Sequence, residues 1–383
     1  DPAAGPALVG RKAELRALQA LLDQPGLRWL TLLGPGGIGK TSLAQAVVAR
    51  RADAIRVSLQ DLHAADDVPA RVAQVLDLGP AARSWDGLTH ALAARPVLLV
   101  LDGVEQVQGL AAAMAALMDG CSALRVLATS RQRLGLPGEQ LFDVGGLPFP
   151  DAEDDARSDD FDAVRLFVQA ARRHRPDFDA RLERAAVAAL CRAVEGWPLA
   201  LELCAAWTPR LRVADILHDL QQGHHDLLRR PGATADDRHG SLERVLQQSW
   251  QALGAAEQQA AARLSLLDEP ASTDVARAVA AVPLPRLAAL ADAAWVRREP
   301  GGRWGLHPLV HHHLALQRQS QSAWHDAAVD ALCGHLAQRA DRCPPRSQWQ
   351  ARDHALDQLA ADLPAVKQAW RCCVAAGRAD WLD

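Results

Sequence analysis

Residues 34 to 42 read GPGGIGKTS, and Gly34, Gly39, Lys40 and Thr41 fit the pattern G-x-x-x-x-G-K-[ST]. Glycines let successive backbone N–H groups turn inward around phosphate oxygens, the lysine reaches the β and γ oxygens, and the hydroxyl ligates Mg²⁺. The spacing predicts a phosphate loop in which Gly34, Pro35, Gly36, Gly37, Ile38, Gly39, Lys40, Thr41 and Ser42 line a nucleotide. Thr41 is expected on the metal. Further on, RPVLLVLDGVEQV (95–107) sets Asp102 behind five apolar residues. An apolar run ending in an acid is how a central parallel strand meets a metal site, so Asp102 is expected to hold Mg²⁺ through water. In LRVLATSRQRL (124–134) another apolar run ends at Arg131. Carboxyl ends of strands in a doubly wound sheet face the ligand crevice, which places Arg131 to sense a γ-phosphate; the plain alternative is a solvated strand-end arginine. Guanine-specific loops read the base with Asn-Lys-x-Asp, and the chain has no asparagine. ADP or ATP with Mg²⁺ is therefore the expected cofactor.

These residues need a sheet to hold them. RWLTLL (28–33) reads as a buried strand leading into the loop, and TSLAQAVVARR has helical spacing at Leu43, Ala46, Val47 and Arg50. With AIRVSL (54–59), the strand before Asp102, the strand before Arg131 and QLFDV (140–144), the pattern predicts a five-stranded parallel sheet flanked by helices. Residues 1–150 form this expected nucleotide domain. The acidic, proline-led PFPDAEDDARSDDFD (148–162) reads as a surface linker into a helical domain, 151–235. One helical stripe there is Val164, Phe167, Val168 and Ala171; another is Leu182, Ala186, Ala189, Leu190 and Ala193. EGWPLALELCAAW (195–207) is, taken alone, a helix junction at Gly196 and Pro198. After a second linker (229–240), helices followed by two short strands about Pro-Gly-Gly predict a winged-helix domain, 236–318. Residues 319–383 carry helical patterns, read as the possible start of a TPR-like sensor array.

Bulk properties narrow the class. At 383 residues the chain is long enough for two to four domains of roughly 100 to 200 residues. Its 49% apolar and 23% charged residues exclude a disordered chain, and no apolar stretch approaches the ~20 residues of a membrane helix. Without a signal-peptide plan at the N-terminus, the expected location is cytoplasmic. The stop inside a helical pattern at WRCCVAAGRADWLD predicts the core of a longer protein. Seven cysteines without Cys-x-x-Cys argue against a zinc site or disulfide framework. Net charge is −4, and residues 240–315 hold seven basic against seven acidic residues, whereas a DNA reader of this size is normally basic. His307 and His311 stand four apart, but no further ligand completes a metal set; His311 to His313 are expected to be exposed.

In order along the chain, LVGRKAELRAL (8–18), the phosphate loop, LLVLDGVEQV, LATSRQRL, EGWPLALEL, LQQSW and LHPLV resemble the signal-transduction ATPases with numerous domains (STAND). That class includes NB-ARC and AP-ATPase-related proteins, and the bacterial transcriptional regulators among them are the nearest in pattern. The resemblance implies an ASCE-type P-loop sheet. It implies that Val9 and Arg11 lie against the adenosine, that Arg131 is the first sensor arginine, that Pro198 touches the base, and that His307 reaches the β-phosphate of ADP. Members often carry a second acid directly after the metal-binding aspartate to position the attacking water. Gly103 stands there instead, and Glu105 is the nearest replacement. General-base assistance is worth roughly 100- to 10,000-fold, so its loss would leave slow hydrolysis.

The function implied is a switch held closed by ADP and opened by exchange for ATP, with self-association on activation and an effector or transcriptional output outside these residues. A steadily turning-over AAA-like remodeller or loader is the alternative. A winged-helix DNA binder is a third reading that the neutral charge count disfavours. Neither membrane nor direct nucleic-acid binding is expected.

Overall fold

The structure, a computed structural model, describes residues 8–151, 155–232 and 240–343, and in the tail 353, 356–357, 359–375 and 377. Two compact units divide the chain, Asp1–Val245 and Leu246–Asp383.

The first unit opens with helix α1 (Lys12–Leu22) and is built on strands β1 (Trp29–Leu33), β2 (Ala54–Ser58), β3 (Val97–Asp102), β4 (Leu124–Ser130) and β5 (Glu139–Asp143). All pair in parallel, in the order β2-β3-β4-β1-β5. The five-stranded parallel sheet expected from sequence is thus present, with strand ends shifted by a residue. Parallel sheets are stable only with both faces covered. Here α2 (Lys40–Val48), α3 (Val68–Val75), α4 (Trp85–Leu92) and α5 (Leu110–Gly120) supply the cover, and every residue of β1 and β3 is buried. Trp29, Leu99, Val126, Leu88 and Met114 belong to the core on one side. Register does the positioning: Leu33 of β1 pairs with Ser130 of β4, and Asp102 of β3 with Thr129. The loop after β1, the acid ending β3 and the residues after β4 therefore emerge at one edge, with β4 between the other two.

The same unit continues through α6 (Asp162–His174), α7 (Arg184–Ala193), α8 (Pro198–Ala205) and α9 (Val213–Gln221). The stripe expected on α6 is buried through Val164, Phe167 and Ala171, and Phe167 meets Phe178 edge to face at 6.0 Å. The second expected stripe is corrected. Leu182 precedes the helix and is 83% exposed, and the buried face of α7 is Val187, Ala188, Leu190 and Cys191, because the chain turns through residues 178–183 before helical phase is set. Nor does the first linker run free where it is described: Leu147 N–H donates to Gly196 O, and Arg192 donates to Pro150 O at 2.8 Å. Part of it (152–154) and most of the second linker (233–239) lie outside the described residues. Helix α10 (Leu242–Gln251) begins in this unit and carries Val245.

In the second unit, α11 (Ala255–Leu264), α12 (Thr273–Ala280) and α13 (Leu284–Asp292) precede an antiparallel pair, β6 (Arg297–Arg298) and β7 (Trp304–Gly305), turning at Pro300–Gly302. Ala271 adds a bridge to Trp304. Then come α14 (Pro308–Gln319), α15 (Ser322–Asp341) and α16 (Leu363–Ala375). One expectation fails here: none of His311 to His313 is exposed, His311 and His312 being half-buried. His313 is 5% exposed and packs near Trp250 and Trp295, with ring centroids 6.1 and 6.0 Å away, because it falls on the same inward face of α14 as Leu309, Val310 and Leu314. Burial pushes its imidazole down to about 4, with His312 adding to the effect. No group of three metal-ligating side chains occurs among the described residues, and no described helix is long and apolar enough to cross a membrane.

Candidate phosphate site

Gly39 holds φ +99°, a left-handed conformation that glycine adopts without penalty, and it precedes the first turn of α2. That turn carries Lys40 and Thr41 to the edge of the sheet. Around the loop, each carbonyl from Gly34 to Ile38 accepts at least one hydrogen bond. Lys40 Nζ donates to Gly34 O at 2.7 Å and to Pro35 O at 3.0 Å. Trp197 Nε1 donates to Gly36 O at 3.2 Å, and the Leu199 N–H to Gly37 O at 3.2 Å. Arg11 Nη2 donates to Ile38 O at 2.7 Å and also to Gly145 O at 2.8 Å. With its carbonyls so engaged, the loop backbone is held by Lys40, by Trp197 and Leu199 at the start of α8, and by Arg11 before α1. A Cβ at Gly36 would overlap Val245 and approach Arg131.

Two charged clusters border the loop. Asp102 is fully buried; its Oδ1 accepts from Thr41 Oγ1 and from Thr129 Oγ1, each at 2.7 Å, and its Oδ2 from Arg56 Nη2 at 2.6 Å. Glu105 comes from the short turn Val104–Gln106, and its Oε1 lies 3.1 Å from Arg131 Nε, while its buried Oε2 has no hydrogen-bond partner. Arg131 also reaches Val245 O at 3.4 Å. Burial pushes the Lys40 ammonium down to about 8, opposed by Glu105 and Asp102 and aided by Arg131. Burial lowers Arg131 as well, against the pull of Glu105.

Sequence reasoning nominated residues that this unit gathers: the loop, Asp102, Glu105, Arg131, Arg11 and Pro198. Pro198 opens α8, its Cγ 3.9 Å from where a Cβ on Gly39 would stand. Val9 is half-buried, two residues before Arg11. Arg11 is itself 2% exposed at φ +53°, tethered through its N–H to Asp162 and through its guanidinium to Glu14 and the loop. His307 belongs to the second unit, where its Nδ1 accepts from Leu309 N–H and caps α14. Four participants were missed: Trp197, Leu199, Thr129 and Arg56. Thr129 was open to inference as the register neighbour of Asp102, whereas contacts made by Trp197 and Leu199 to loop carbonyls depend on tertiary packing that no spacing announces.

The donor set suits a nucleotide with a hard divalent cation. Thr41 hydroxyl and Asp102 carboxylate form an oxygen pair of the kind Mg²⁺ takes, and Lys40 and Arg131 offer positive charge for phosphates. The NB-ARC domain family matches residues 11–134, the span that holds the loop, Asp102 and Arg131. The uncharacterized protein Rv0894 of Mycobacterium tuberculosis is 33% identical over 349 residues, covering 86% of each chain. From the same organism, the protein named "Putative HTH-type transcriptional regulator Rv0890c" is 34% identical over 213 residues, 53% of this chain and 23% of that one. Among solved structures, the Walker-type ATPase PABY2304 of Pyrococcus abyssi superposes with a TM-score of 0.51 at 16% identity, over 80% of this chain and 96% of that one, a likeness of fold. Fold and site together define a P-loop ATPase with an NB-ARC domain. The chain carries an NB-ARC domain and belongs to one family with Rv0894.

Proposed function

We propose that the chain is a nucleotide-dependent switch, closed with ADP and opened when ATP replaces it. The observation that carries this reading is the loop's set of tethers: the carbonyls of Gly36, Gly37 and Ile38 are held from α8 and from the segment before α1, so a ligand that reshapes the loop must strain or release both. A ligand shifts an equilibrium only by its differential affinity for the two states, and a nearly complete reversal takes about 5.5 kcal/mol. Phosphates drawing on Lys40 and Arg131 while the loop pulls on Trp197 and Leu199 link the two.

In this reading Thr41 and Asp102 hold Mg²⁺, which neutralises phosphate charge, and Val9 and Pro198 border the adenosine. The family resemblance alone assigns His307, on a winged helix, to bound ADP, and assigns self-association to the open form. The output lies outside this segment; transcriptional control is the class that the name of Rv0890c supports. The test is the nucleotide that survives purification together with steady-state phosphate release. One retained ADP per chain with much less than one turnover per minute is expected. An empty chain with many turnovers per minute would sink the switch.

That second outcome has one observation in its favour. Although Gly103 replaces the usual second acid, Glu105 delivers a carboxylate beside Lys40 and Arg131, where it could orient a water. Its present partner is Arg131, so a γ-phosphate that draws Arg131 away frees Glu105 for that task.

A further inference from the structure

Asp102 has no solvent contact, and a buried carboxylate without a counter-charge is strongly unfavourable. Its Oδ1 is taken by two hydroxyls, which carry no charge. The compensating charge comes from Arg56 on β2, whose Nη2 sits 2.6 Å from Oδ2; Gln60 Nε2 stands further off at 3.5 Å. This contact is single-pronged. Arg56 Nε is buried without a hydrogen-bond partner, so the fork is not filled as it is in bidentate arginine–carboxylate pairs built for strength. The side chain is about one-third exposed and has solvent to withdraw into.

We propose that Arg56 is a built-in counter-cation for Asp102. It balances the carboxylate when no metal is bound and opposes the return of the metal, so that it sets the Mg²⁺ affinity of the site. This rests on the reading of Thr41 and Asp102 as the metal pair. Arg56 positive charge lies against an oxygen of that pair, and whatever divalent cation arrives must either displace it or share the carboxylate with it. The chain can then lose metal without leaving a naked buried charge, and it needs a higher Mg²⁺ concentration to close the site.

Isothermal titration of Mg²⁺ into EDTA-stripped, ADP-loaded chain tests the proposal with four proteins: wild type, Arg56→Gln, Arg56→Lys and Asp102→Asn. Arg56→Gln should bind Mg²⁺ about tenfold more tightly, since a like charge at ionic distance in a shielded site is removed. Arg56→Lys should stay within about threefold of wild type, the charge being kept. Asp102→Asn should weaken Mg²⁺ binding. If Asp102→Asn leaves it unchanged, the metal pair itself is misread; if Asp102→Asn weakens it while Arg56→Gln equals or falls below wild type, the pair stands and the role of Arg56 is overturned. A second measurement covers the case in which Arg56→Gln does not fold. The double variant Arg56→Gln/Asp102→Asn, with both charges removed, should recover nucleotide-free thermal stability relative to Arg56→Gln, and failure to recover it overturns the proposal.

Discussion

Trp197 is fully buried, and its indole N–H is the donor to the carbonyl of Gly36 at the centre of the phosphate loop. Replacing it by phenylalanine keeps an aromatic ring in the pocket and deletes that donor. A buried carbonyl left unsatisfied costs about 1–3 kcal/mol, well above the net worth of the bond itself. If the helical segment and the loop communicate through this bond, the cost falls on the form in which both are packed together. At about 1.4 kcal/mol per factor of ten, ADP should leave Trp197→Phe roughly 5- to 140-fold faster than wild type. Stopped-flow displacement of a fluorescent ADP analogue measures this directly. The control is Trp207→Phe, which removes a comparable indole donor, to Leu227 O and Arg229 O, in the same helical segment away from the loop. Equal acceleration in both variants would mean general loosening, and no acceleration in Trp197→Phe would mean that the tether does not transmit; either refutes the reasoning.

Gly103 holds φ +82°, and a Cβ there would stand 2.7 Å from Gln60 Cγ, so Gly103→Asp should lower stability by about 1–2 kcal/mol in urea melts and leave phosphate release no faster, despite restoring the acid usual at that position. Glu105→Gln should slow single-turnover phosphate release by about 100-fold or more while ADP affinity changes little; an unchanged rate would remove Glu105 from the chemistry. His313 is held neutral by burial, with its imidazole at about 4 against an ordinary 6.5. Between those values the unfolded chain binds more protons than the folded one, so stability falls as pH is lowered from 6.5 to 4, by at most about 3 kcal/mol. Replacement by leucine should flatten that slope in denaturant melts of the second unit.

The sheet was legible because parallel strands buried on both faces have to be written as unbroken apolar runs, and VLLVL before Asp102 is such a run. The loop's place was legible because a glycine-rich turn between a buried strand and a helix is constrained by backbone geometry, and Gly39 at φ +99° opens α2 as the spacing required. What stayed hidden depends on contacts between distant segments. The packing of α7 was misjudged because apolar spacing does not fix where a helix begins, and Leu182 falls before its first turn. His313 looked like one of three surface histidines, yet it points between Trp250 and Trp295, and no local signal separates it from His312. Arg56 sits two residues before the end of an unremarkable strand; only the register of β2 against β3 brings it to Asp102.

The charges of the site supply the last step. Each cation around the loop has a protein acceptor: Lys40 has the carbonyls of Gly34 and Pro35, Arg131 has Glu105, and Arg56 has Asp102. A nucleotide entering such a site does not fill a waiting cluster of free positive charge. On the proposed reading it would exchange partners, drawing Lys40 from the loop carbonyls and Arg131 from Glu105. Electrostatic steering, which raises association rates where unpaired charge faces solvent, has little to act on here. On that reading exchange would be governed by rearrangement more than by diffusion. A site arranged in this way suits a protein whose bound nucleotide marks a state and is kept, and it suits poorly one that must release product many times each second.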